Sequence, residues 1–322
     1  MKIPIIDFAD YNTNSKEIVQ KVFDACKSIG FFYIINHGFS QNDIDKAFEL
    51  SKQFFDLPKE EKEKYSINQE NHGYFKLYSE TLDPQHQKQG DHKEGFNFVG
   101  DFTSIKLMES LPQVFENHIE FLEQFSRNCH QLALQILEIF AIALEIPIEE
   151  GGTYFFSNKH TYHHCPHTLR FLKYPSSRHK DEEPVVYAGA HSDYGSITLL
   201  FQKDVPGLEV WGEEDQEWVK APIIKEAIMI NVGDQMELWT NGLFKSSQHR
   251  VVFLPEHHHV DRYSIPYFVH SHDNVVLSPL PSPCVDQTTQ DPITAGELLR
   301  NRLDGTYEHR NRVAKDHSKY ET

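Results

Sequence analysis

The sequence has few cysteines, and their spacing excludes a disulfide framework. The 322-residue chain has four, with no Cys-x-x-Cys pair, at Cys26, Cys129, Cys165 and Cys284. Such isolated cysteines predict free thiols in a reducing compartment. The chain also lacks any apolar run near the roughly 20 residues of a membrane span, and its first residues lack the apolar stretch of a secretory signal. We therefore expect a soluble, cytoplasmic protein without a membrane partner.

Basic residues are scarce relative to acidic ones. Lys and Arg number 31 against 48 Asp and Glu, which gives a formal net charge of −17. A strongly acidic chain disfavours nucleic acid and anionic lipid as partners. The length is sufficient to bury a full core, as one large domain or as a core with an N-terminal extension. We expect the protein to act as a monomer.

The first part of the chain alternates strand and helix patterns. Residues Ile3 to Phe8 predict a short strand, and Lys16 to Ile29 predict a helix with one apolar stripe. After Gly30, the aromatic and β-branched run from Phe31 to Ile35 predicts a second strand. Another helix is expected at about Asn42 to Phe55. The order indicates a mixed α and β region.

The rest of the chain changes from helical to strand patterns. Residues 56–110 are polar and turn-rich, and no element can be assigned there. Apolar residues at helical spacing from Pro112 to Leu144 predict one long helix. From about Thr168 to Val276, short β-rich runs separated by Gly, Pro and Asn are typical of a sandwich or barrel. A capping-box pattern predicts a final helix over Thr294 to Leu303.

The pattern His-x-Asp, which can supply two metal ligands, occurs three times, beginning at His179, His191 and His259. His179 lies in a charged run before Pro184 that is typical of a solvated loop. His259 ends a run of three histidines beside a turn. His191 instead follows one apolar strand pattern and precedes another. Because side chains two apart on an extended segment point to the same side, His191 and Asp193 can converge on one ion.

Two later fragments complete a metal site of a specific kind. His249 would supply a second imidazole beside His191 and Asp193. Two imidazoles and one carboxylate hold a redox-active Fe(II) on one face and leave the other positions open. Arg262 and Ser264 share one face of a predicted strand and form the only Arg-x-Ser of the chain. Because a guanidinium pairs bidentately with a carboxylate, they are candidates to anchor the far end of a chelating dicarboxylic acid.

A second histidine-rich segment, Tyr162 to His167, raises the alternative of a zinc site. Its adjacent His163 and His164 would point to opposite faces of a strand, which disfavours shared coordination. The three histidines at 257–259 are interpreted as a solvent-facing turn.

On these residues the sequence resembles iron- and 2-oxoglutarate-dependent oxygenases of the isopenicillin-N-synthase-like group. The segment Gly30 to Gly38 is similar to the N-terminal region of that family, and Gly90 to Phe98 resembles its Lys-Glu segment. Ala190 to Leu200 is similar to its first ligand strand. The resemblance spans nearly the whole chain. It implies a mixed α/β (α+β) fold whose core is a double-stranded β-helix, or jelly roll, with N-terminal helices and a long supporting helix.

The resemblance also implies a division of the chain and a role for each site residue. The division is an N-terminal non-haem dioxygenase region at 1–110, a supporting helix at 111–150, the jelly-roll core at 151–285 and a C-terminal helix at 286–322. The implied iron ligands and catalytic residues are His191, Asp193 and His249. The implied 2-oxoglutarate contacts are Arg262, Ser264 and Tyr174, although Tyr174 could equally be a packing residue. Plant relatives carry Asn where Leu172 stands, so one expected contact is absent.

The activity implied by the resemblance is oxidation of a small-molecule substrate by dioxygen, through hydroxylation, desaturation or a related reaction. Fe(II) would be the metal, 2-oxoglutarate the cosubstrate that yields succinate and carbon dioxide, and ascorbate a candidate reductant. Aromatic residues are candidates either for the pocket or for core packing: Phe96, Phe98, Tyr154, Phe155 and Phe268. Two alternatives stay open. One is an iron-dependent oxidase that does not use 2-oxoglutarate, and the other is a catalytically silent jelly-roll binding protein, which the intact ligand set disfavours.

Overall fold

The computed structural model describes residues 2–9, 16–100, 102, 111–176, 183–288 and 291–317, with side chains of the last helix described to residue 306. Two β-sheets enclose one cavity, and helices cover the outer face of the larger sheet. The expected α+β class and jelly-roll core are confirmed. Within these residues, no helix has both the length and the apolar character needed to cross a membrane.

The larger sheet has eight strands, numbered here in chain order. In spatial order they are β1 (Ile5–Asp7), β2 (Phe31–Ile35), β10 (Ala227–Val232), β7 (Ile197–Lys203), β12 (Arg262–Val269), β5 (Thr168–Tyr174), β4 (Glu94–Val99) and β3 (Gly73–Phe75). Only β1 and β2 pair in parallel, and the other neighbours are antiparallel. Strands from the N-terminal region therefore extend both edges of the jelly-roll sheet.

The smaller sheet has four antiparallel strands. In spatial order they are β6 (Val185–His191), β11 (His249–Phe253), β8 (Leu208–Gly212) and β9 (Glu217–Lys220). A separate two-stranded pair joins β13 (Val276–Leu277) to β14 (Ile293–Thr294). The pairing of β11 with β6 shifts register next to His249. Such irregularities re-aim side chains, and this one lies where His191 and His249 meet.

The side chains of β12 alternate between the main apolar core and the cavity between the sheets. Ile265, Tyr267 and Val269 pack into the main apolar core with the helices. The intervening residues of the same strand, among them Arg262 and Ser264, line the cavity between the sheets. This is the period of two that a strand imposes on its side chains. Polar residues on one face of the strand are therefore directed into the cavity.

Seven helices are described. They are α1 (Lys16–Ser28), α2 (Gln41–Phe55), α3 (Lys59–Glu63), α4 (Gln113–Glu116), α5 (Ile119–Ala143), α6 (Asp234–Trp239) and α7 (Ala295–His317). The prediction of a single helix over 112–144 is wrong. His118 leaves the helical region (φ −127°, ψ 23°) between α4 and α5. The turn directs Phe115 into an aromatic cluster, 4.9 Å from the Phe54 ring and 5.0 Å from Phe96, and apolar spacing alone cannot reveal such a break.

Residues 56–110, which carried no assignment, contain α3, β3 and β4. β4 lies between β3 and β5 in the larger sheet. Its first residue, Glu94, forms a buried ion pair with Lys62 of α3 at 2.6 Å. A second hydrogen bond reaches the same carboxylate from the Tyr74 hydroxyl at 2.7 Å. Partners from distant elements organise this polar segment, which is why its own sequence shows no periodicity.

The final helix begins as predicted but continues beyond Leu303 to His317. The capping box is present: the Glu297 amide donates to the Thr294 hydroxyl at 3.2 Å, and the Thr294 amide donates to the Glu297 carboxylate at 2.9 Å. The first turns of α7 place apolar side chains over the cavity, Leu299 and Leu303 among them. The C-terminal helix thus contributes to the wall of the site, a role that its sequence pattern did not suggest.

A glycine joins α1 to β2 under tight steric constraint. Gly30 has a φ of +68°, and a Cβ atom there would lie 1.9 Å from the carbonyl oxygen of Lys245. The left-handed conformation disfavours other residues, and the close approach excludes a side chain. Gly30 therefore fixes the start of β2 against the chain that leads into β11.

Candidate metal centre and cosubstrate pocket

The two histidines predicted as ligands meet across the smaller sheet. His191 is the last residue of β6, His249 is the first of β11, and the two are register partners. Their ring centroids lie 4.3 Å apart. Asp193 follows two residues after β6, and its Oδ1 lies 3.7 Å from His249 Nε2. One ligand atom from each of the three residues lies within 4.8 Å of the others, a spacing suited to a single ion.

Hydrogen bonds orient each member of this group. Nδ1 of His191 donates to the Gly189 carbonyl at 2.8 Å, and Nδ1 of His249 donates to the Ser247 carbonyl at 3.3 Å. A donating Nδ1 leaves Nε2 of the neutral ring as the lone-pair nitrogen. Both imidazoles can therefore present a ligand nitrogen to the same point. Local backbone contacts of this kind fix the tautomer of metal-binding histidines.

The carboxylate of Asp193 is held by two donors from the larger sheet. Its Oδ2 accepts from the Thr198 hydroxyl at 2.6 Å and from the Asn231 amide at 2.8 Å. Both bonds go to the same oxygen, so Oδ1 remains the oxygen that faces His249. Neither Thr198 nor Asn231 was identified as a functional residue from the sequence, although Thr198 belongs to the segment Ala190 to Leu200 that resembles the first ligand strand of the family. Oδ1 is therefore placed to coordinate a metal, while Oδ2 is held by the two hydrogen bonds.

The ionisation states suit a divalent cation. Burial lowers the pKa of His191 to about 3, and the nearby His249 adds to this effect. Burial alone would raise the pKa of Asp193, but the neighbouring imidazoles and the hydrogen bonds from Thr198 and Asn231 outweigh it and leave the pKa below its usual value. At neutral pH the group therefore offers a neutral His191 imidazole and a charged carboxylate. Metals bind these deprotonated forms.

Arg262 lies in the same cavity as a buried cation. Its side chain is only 1 % exposed. It donates to the Val205 carbonyl at 3.2 Å, to Gln202 Oε1 at 3.1 Å and to the Ser264 hydroxyl at 3.4 Å. Within the described ranges no carboxylate forms an ion pair with it. A guanidinium stays charged in proteins, and a buried charge without a counter-ion is strongly unfavourable. This arrangement fits an anionic ligand.

Tyr174 completes the wall around the guanidinium. It pairs with Arg262 across β5 and β12, and its ring centroid lies 5.0 Å from the guanidinium carbon. Leu172 pairs with Ser264 in the next position and also faces the cavity. The structure therefore brings Arg262, Ser264 and Tyr174 together. Leu172 is apolar, so it offers no side-chain hydrogen bond at the position where the sequence indicates the loss of an expected contact.

The cavity between the sheets contains both the metal-ligand group and Arg262 and, with its opening to solvent, spans about 1020 Å³. An outer groove adjoins it, and Leu82, His191, Tyr194 and Thr306 lie in the walls of both. A hydrogen bond of 2.6 Å joins the Tyr194 hydroxyl to Thr306 of α7. Arg302 of the same helix donates to the Ser192 hydroxyl at 2.9 Å. Access to the cavity is therefore bounded by α7 and by the loop that carries Asp193.

Of the five aromatic pocket candidates, only Phe268 lines the cavity. Phe96, Phe98 and Phe155 belong to the main apolar core, and Tyr154 is 62 % exposed. The sequence alone does not distinguish aromatic residues that line a pocket from those that pack in the core, because such side chains are common in both places. Polar residues that the sequence did not single out line the cavity instead: Asn71, Glu80, Lys93 and Arg170.

The other histidine motifs do not form metal sites in the described residues. Asp261 pairs with Lys173 at 3.1 Å, away from the exposed His259. His163 and His164 are exposed on a turn, and not on the strand that was expected. The run at 257–259 is only partly a solvent-facing turn, because its middle residue, His258, is buried. The motif that begins at His179 lies outside the described residues.

Comparison with known proteins agrees with this geometry. Residues 3–115 match the N-terminal family of non-haem dioxygenases in morphine synthesis, and residues 158–271 match the 2OG-Fe(II) oxygenase superfamily. The UPF0676 protein C1494.01 of Schizosaccharomyces pombe is 38 % identical over 95 % of this chain and 93 % of its own length. A 1-aminocyclopropane-1-carboxylate oxidase of Dictyostelium mucoroides is 30 % identical over 95 % of this chain and 92 % of its own.

Solved structures extend the comparison to the whole fold. A full-length protein of Neurospora crassa in complex with alpha-KG is similar with a TM-score of 0.81 and 26 % identity, over 95 % of this chain and 96 % of that one. A 2OG-Fe(II) oxygenase family protein of Caulobacter crescentus is similar with a TM-score of 0.79 and 26 % identity, over 94 % and 98 %. With its His-Asp-His group and its buried arginine in one jelly-roll cavity, this chain belongs to the 2-oxoglutarate- and Fe(II)-dependent oxygenases of the isopenicillin-N-synthase-like group.

Proposed function

We propose that this oxygenase oxidises a small-molecule substrate inside the cavity between its sheets, with specific roles for six residues. The proposed Fe(II) ligands are His191, Asp193 and His249. The proposed contacts to the distal carboxylate of 2-oxoglutarate are Arg262, Ser264 and Tyr174. The observation that carries the assignment is the buried guanidinium, which lacks a carboxylate partner among the described residues and faces the same cavity as the ligand group.

The donor set agrees with the chemistry of this family. His191, Asp193 and His249 would hold the iron, and a set of only three protein ligands would leave room on it for the cosubstrate. When bound, the iron and 2-oxoglutarate supply an oxidant for the substrate, with succinate and carbon dioxide as coproducts. The planar fork of Arg262 suits the far carboxylate, and the Ser264 hydroxyl can donate to it.

The chain's own residues supply position and exclusion. Thr198 and Asn231 hold Asp193 in one orientation, and the carbonyls of Gly189 and Ser247 fix the two imidazoles. Side chains of α7 close one side of the cavity. A rigid ligand group in a site shielded from bulk water confines the oxidant to a bound substrate.

Relatives support a small molecule as the substrate without identifying it. The Neurospora crassa protein has also been solved with alpha-KG and thymine and with alpha-KG and 5-formyluracil, at 25 % and 26 % identity to this chain. We also propose a monomer in the cytoplasm, and the support for that compartment is the absence of disulfides, since Cys26, Cys129, Cys165 and Cys284 are free. Size-exclusion chromatography with light scattering tests the monomer.

The deciding experiment is an anaerobic titration of metal-free protein with Fe(II) and then with 2-oxoglutarate. A chelated oxo acid gives a visible metal-to-ligand charge-transfer band. We expect the band in the wild type, its loss in His191→Ala, and a much weaker affinity for 2-oxoglutarate in Arg262→Met. The matched controls are His259→Ala, which removes an exposed histidine, and Arg127→Met, which removes an arginine of α5. Both should behave as the wild type.

Each other outcome has a defined meaning. Iron binding without a band would favour an iron-dependent oxidase that does not use 2-oxoglutarate, as the similarity to an aminocyclopropanecarboxylate oxidase allows. No iron binding would favour a catalytically silent jelly-roll protein. A band that persists in His191→Ala would refute the ligand assignment itself.

A further inference from the structure

The cavity has two ends, and only one of them is explained by the cosubstrate. Arg262 and Tyr174 mark the first end. Arg170 lies four residues before Tyr174 on the same face of β5, and both line the cavity. At about 3.3 Å per residue, this places the two positions roughly 13 Å apart along the strand. The second end is therefore available to the molecule that is oxidised.

Charged side chains line the cavity between Tyr174 and this second end. Glu94 pairs with Lys173, so Lys93 lies near Tyr174, while Arg170 lies further along β5. Lys93 and Glu80 are each only 3 % exposed. The Lys93 ammonium lies 2.8 Å from Asp91 Oδ2 and 3.2 Å from Glu80 Oε2. The Arg170 guanidinium approaches the same Glu80 oxygen at 3.5 Å and donates through Nε to Asn97 at 2.7 Å. Lys93, Glu80 and Arg170 face the cavity, and we call them the polar wall.

Stability alone does not account for this wall. Buried ion pairs are often no more stabilising than well-packed apolar residues, because desolvation offsets the attraction. Burial alone would lower the pKa of Lys93, but the carboxylates of Asp91 and Glu80 reverse that effect and raise its pKa. The cation is therefore kept charged beside a cavity. Buried polar groups arranged in this way fix the orientation and identity of a ligand.

The charges of this cluster cancel. Lys93 and Arg170 are positive, and Glu80 and Asp91 are negative, so the formal sum is zero. A substrate carboxylate would have to approach Glu80, whose Oε2 already faces both cations. A ligand carboxylate would therefore lie against a carboxylate that the two cations already neutralise, which is unfavourable. A neutral ligand could still exchange hydrogen bonds with the cationic donors and the carboxylate acceptor.

Apolar side chains also line the cavity, together with polar ones such as Asn71, Thr168 and His270. Phe268 of β12 and Leu299 and Leu303 of α7 line the cavity, and Leu82 joins them from the loop that precedes β4. Apolar flanks around a few directional polar groups suit a flat, compact molecule. Donors and acceptors side by side in the polar wall suit a group that carries both functions, as an amide or an imide does.

We propose that Glu80, Lys93 and Arg170 determine substrate specificity. The substrate is then a small uncharged molecule of the amide or cyclic imide class, whose carbonyl and N–H groups form hydrogen bonds with these residues. This inference rests on the proposed function, because it assigns the polar wall of the same cavity. The wall would discriminate between neutral and anionic ligands, with Glu80 as the residue that excludes carboxylates.

Ring-matched probes test this selectivity. Anaerobic protein loaded with Fe(II) and 2-oxoglutarate is titrated with uracil against orotate, and with benzamide against benzoate, and binding is followed by calorimetry. In the wild type, we expect the neutral member of at least one pair to bind at least tenfold more tightly than its carboxylate partner. Glu80→Gln removes one negative charge at constant volume, so the preference should fall about tenfold or reverse. Glu49→Gln, the same change on the exposed face of α2, should leave it unaltered.

The outcomes separate this inference from the proposed function. If Glu80→Gln retains the charge-transfer band, the variant still binds iron and 2-oxoglutarate. Any change in its ligand selectivity can then be attributed to the substituted side chain. A wild type that prefers carboxylates, that binds no member of either pair, or whose preference is unchanged in Glu80→Gln would overturn the inference while leaving the proposed function in place. Absence of the band in the wild type would instead count against the proposed function.

Discussion

The hydroxyl of Thr198 is expected to control the affinity for iron without touching the metal. It donates to Asp193 Oδ2 at 2.6 Å, and Asn231 donates to the same oxygen at 2.8 Å. The substitution Thr198→Val removes the first bond and nearly preserves the volume of the side chain. Asp193 then keeps one donor, and its carboxylate can rotate away from the orientation in which Oδ1 faces His249.

The size of the effect can be estimated from the contacts. A buried hydrogen bond to a charged group contributes about 1.5–3 kcal/mol, or roughly 10–150-fold in an equilibrium constant. Because Asn231 still holds the same oxygen, we expect the lower end, about a tenfold weaker affinity for Fe(II). Loss of an outer hydrogen-bond partner commonly weakens metal binding by about 10–100-fold, which agrees with this value.

The assay is an anaerobic Fe(II) titration at saturating 2-oxoglutarate, followed through the charge-transfer band. Thr198→Ser keeps the donor and should retain most of the affinity. Thr240→Val removes another buried threonine hydroxyl, which donates to the Met236 carbonyl instead, and should change the affinity less than about twofold. If Thr198→Val binds iron as tightly as the wild type while remaining folded, Asp193 does not depend on this contact and the reasoning is refuted.

Three further predictions concern stability, measured by urea unfolding. Gly30→Ala should lower the free energy of unfolding by about 2–4 kcal/mol, because alanine is strained at a positive φ and its Cβ would clash with the Lys245 carbonyl. An unchanged urea midpoint would contradict this geometry. Lys62→Met should lower the free energy of unfolding by about 3 kcal/mol, because it leaves the buried Glu94 carboxylate without its cation, and Glu94→Gln in the same chain should recover part of the loss. Burial lowers the pKa of His72 and of His130 to about 4, so the unfolded chain binds more protons below pH 6.5. The free energy of unfolding should therefore decrease from pH 6.5 towards pH 4 by about 1.4 kcal/mol per pH unit for each histidine. Replacing both histidines with Asn should make the free energy of unfolding depend less steeply on pH.

The predicted ligand group and the predicted arginine were recoverable from the sequence because local context separates them from similar motifs. His191 stands between two strand patterns, whereas the other His-x-Asp motifs stand in charged or turn-like segments. Arg262 and Ser264 were placed on one face by the period of a strand, and both indeed face the cavity. The convergence of His191 with His249 depends in addition on cross-strand register, which no local pattern encodes.

The polar wall of the cavity could not be predicted, because its residues are defined by distant partners. Lys93 and Glu80 lie in the polar segment without periodicity, and their pairing becomes visible only after β4 joins β5. Leu299 and Leu303 lie four residues apart in the final helix, which places them on one face of it but does not reveal the surface that this face covers. The break at His118 was hidden in the same way, since apolar spacing continues across it.

The distribution of functional groups between the sheets has a mechanical consequence. His191 and His249 belong to the smaller sheet, while Arg262 and Ser264 belong to the larger one. A diacid bound to iron at one end and to the guanidinium at the other would connect the two layers by a non-covalent cross-link. The distance between facing sheets, about 10 Å in such sandwiches, would then select the length of the acid. Resistance to heat should consequently rise more with iron and 2-oxoglutarate together than with either alone, and a diacid one carbon shorter should not reproduce the gain.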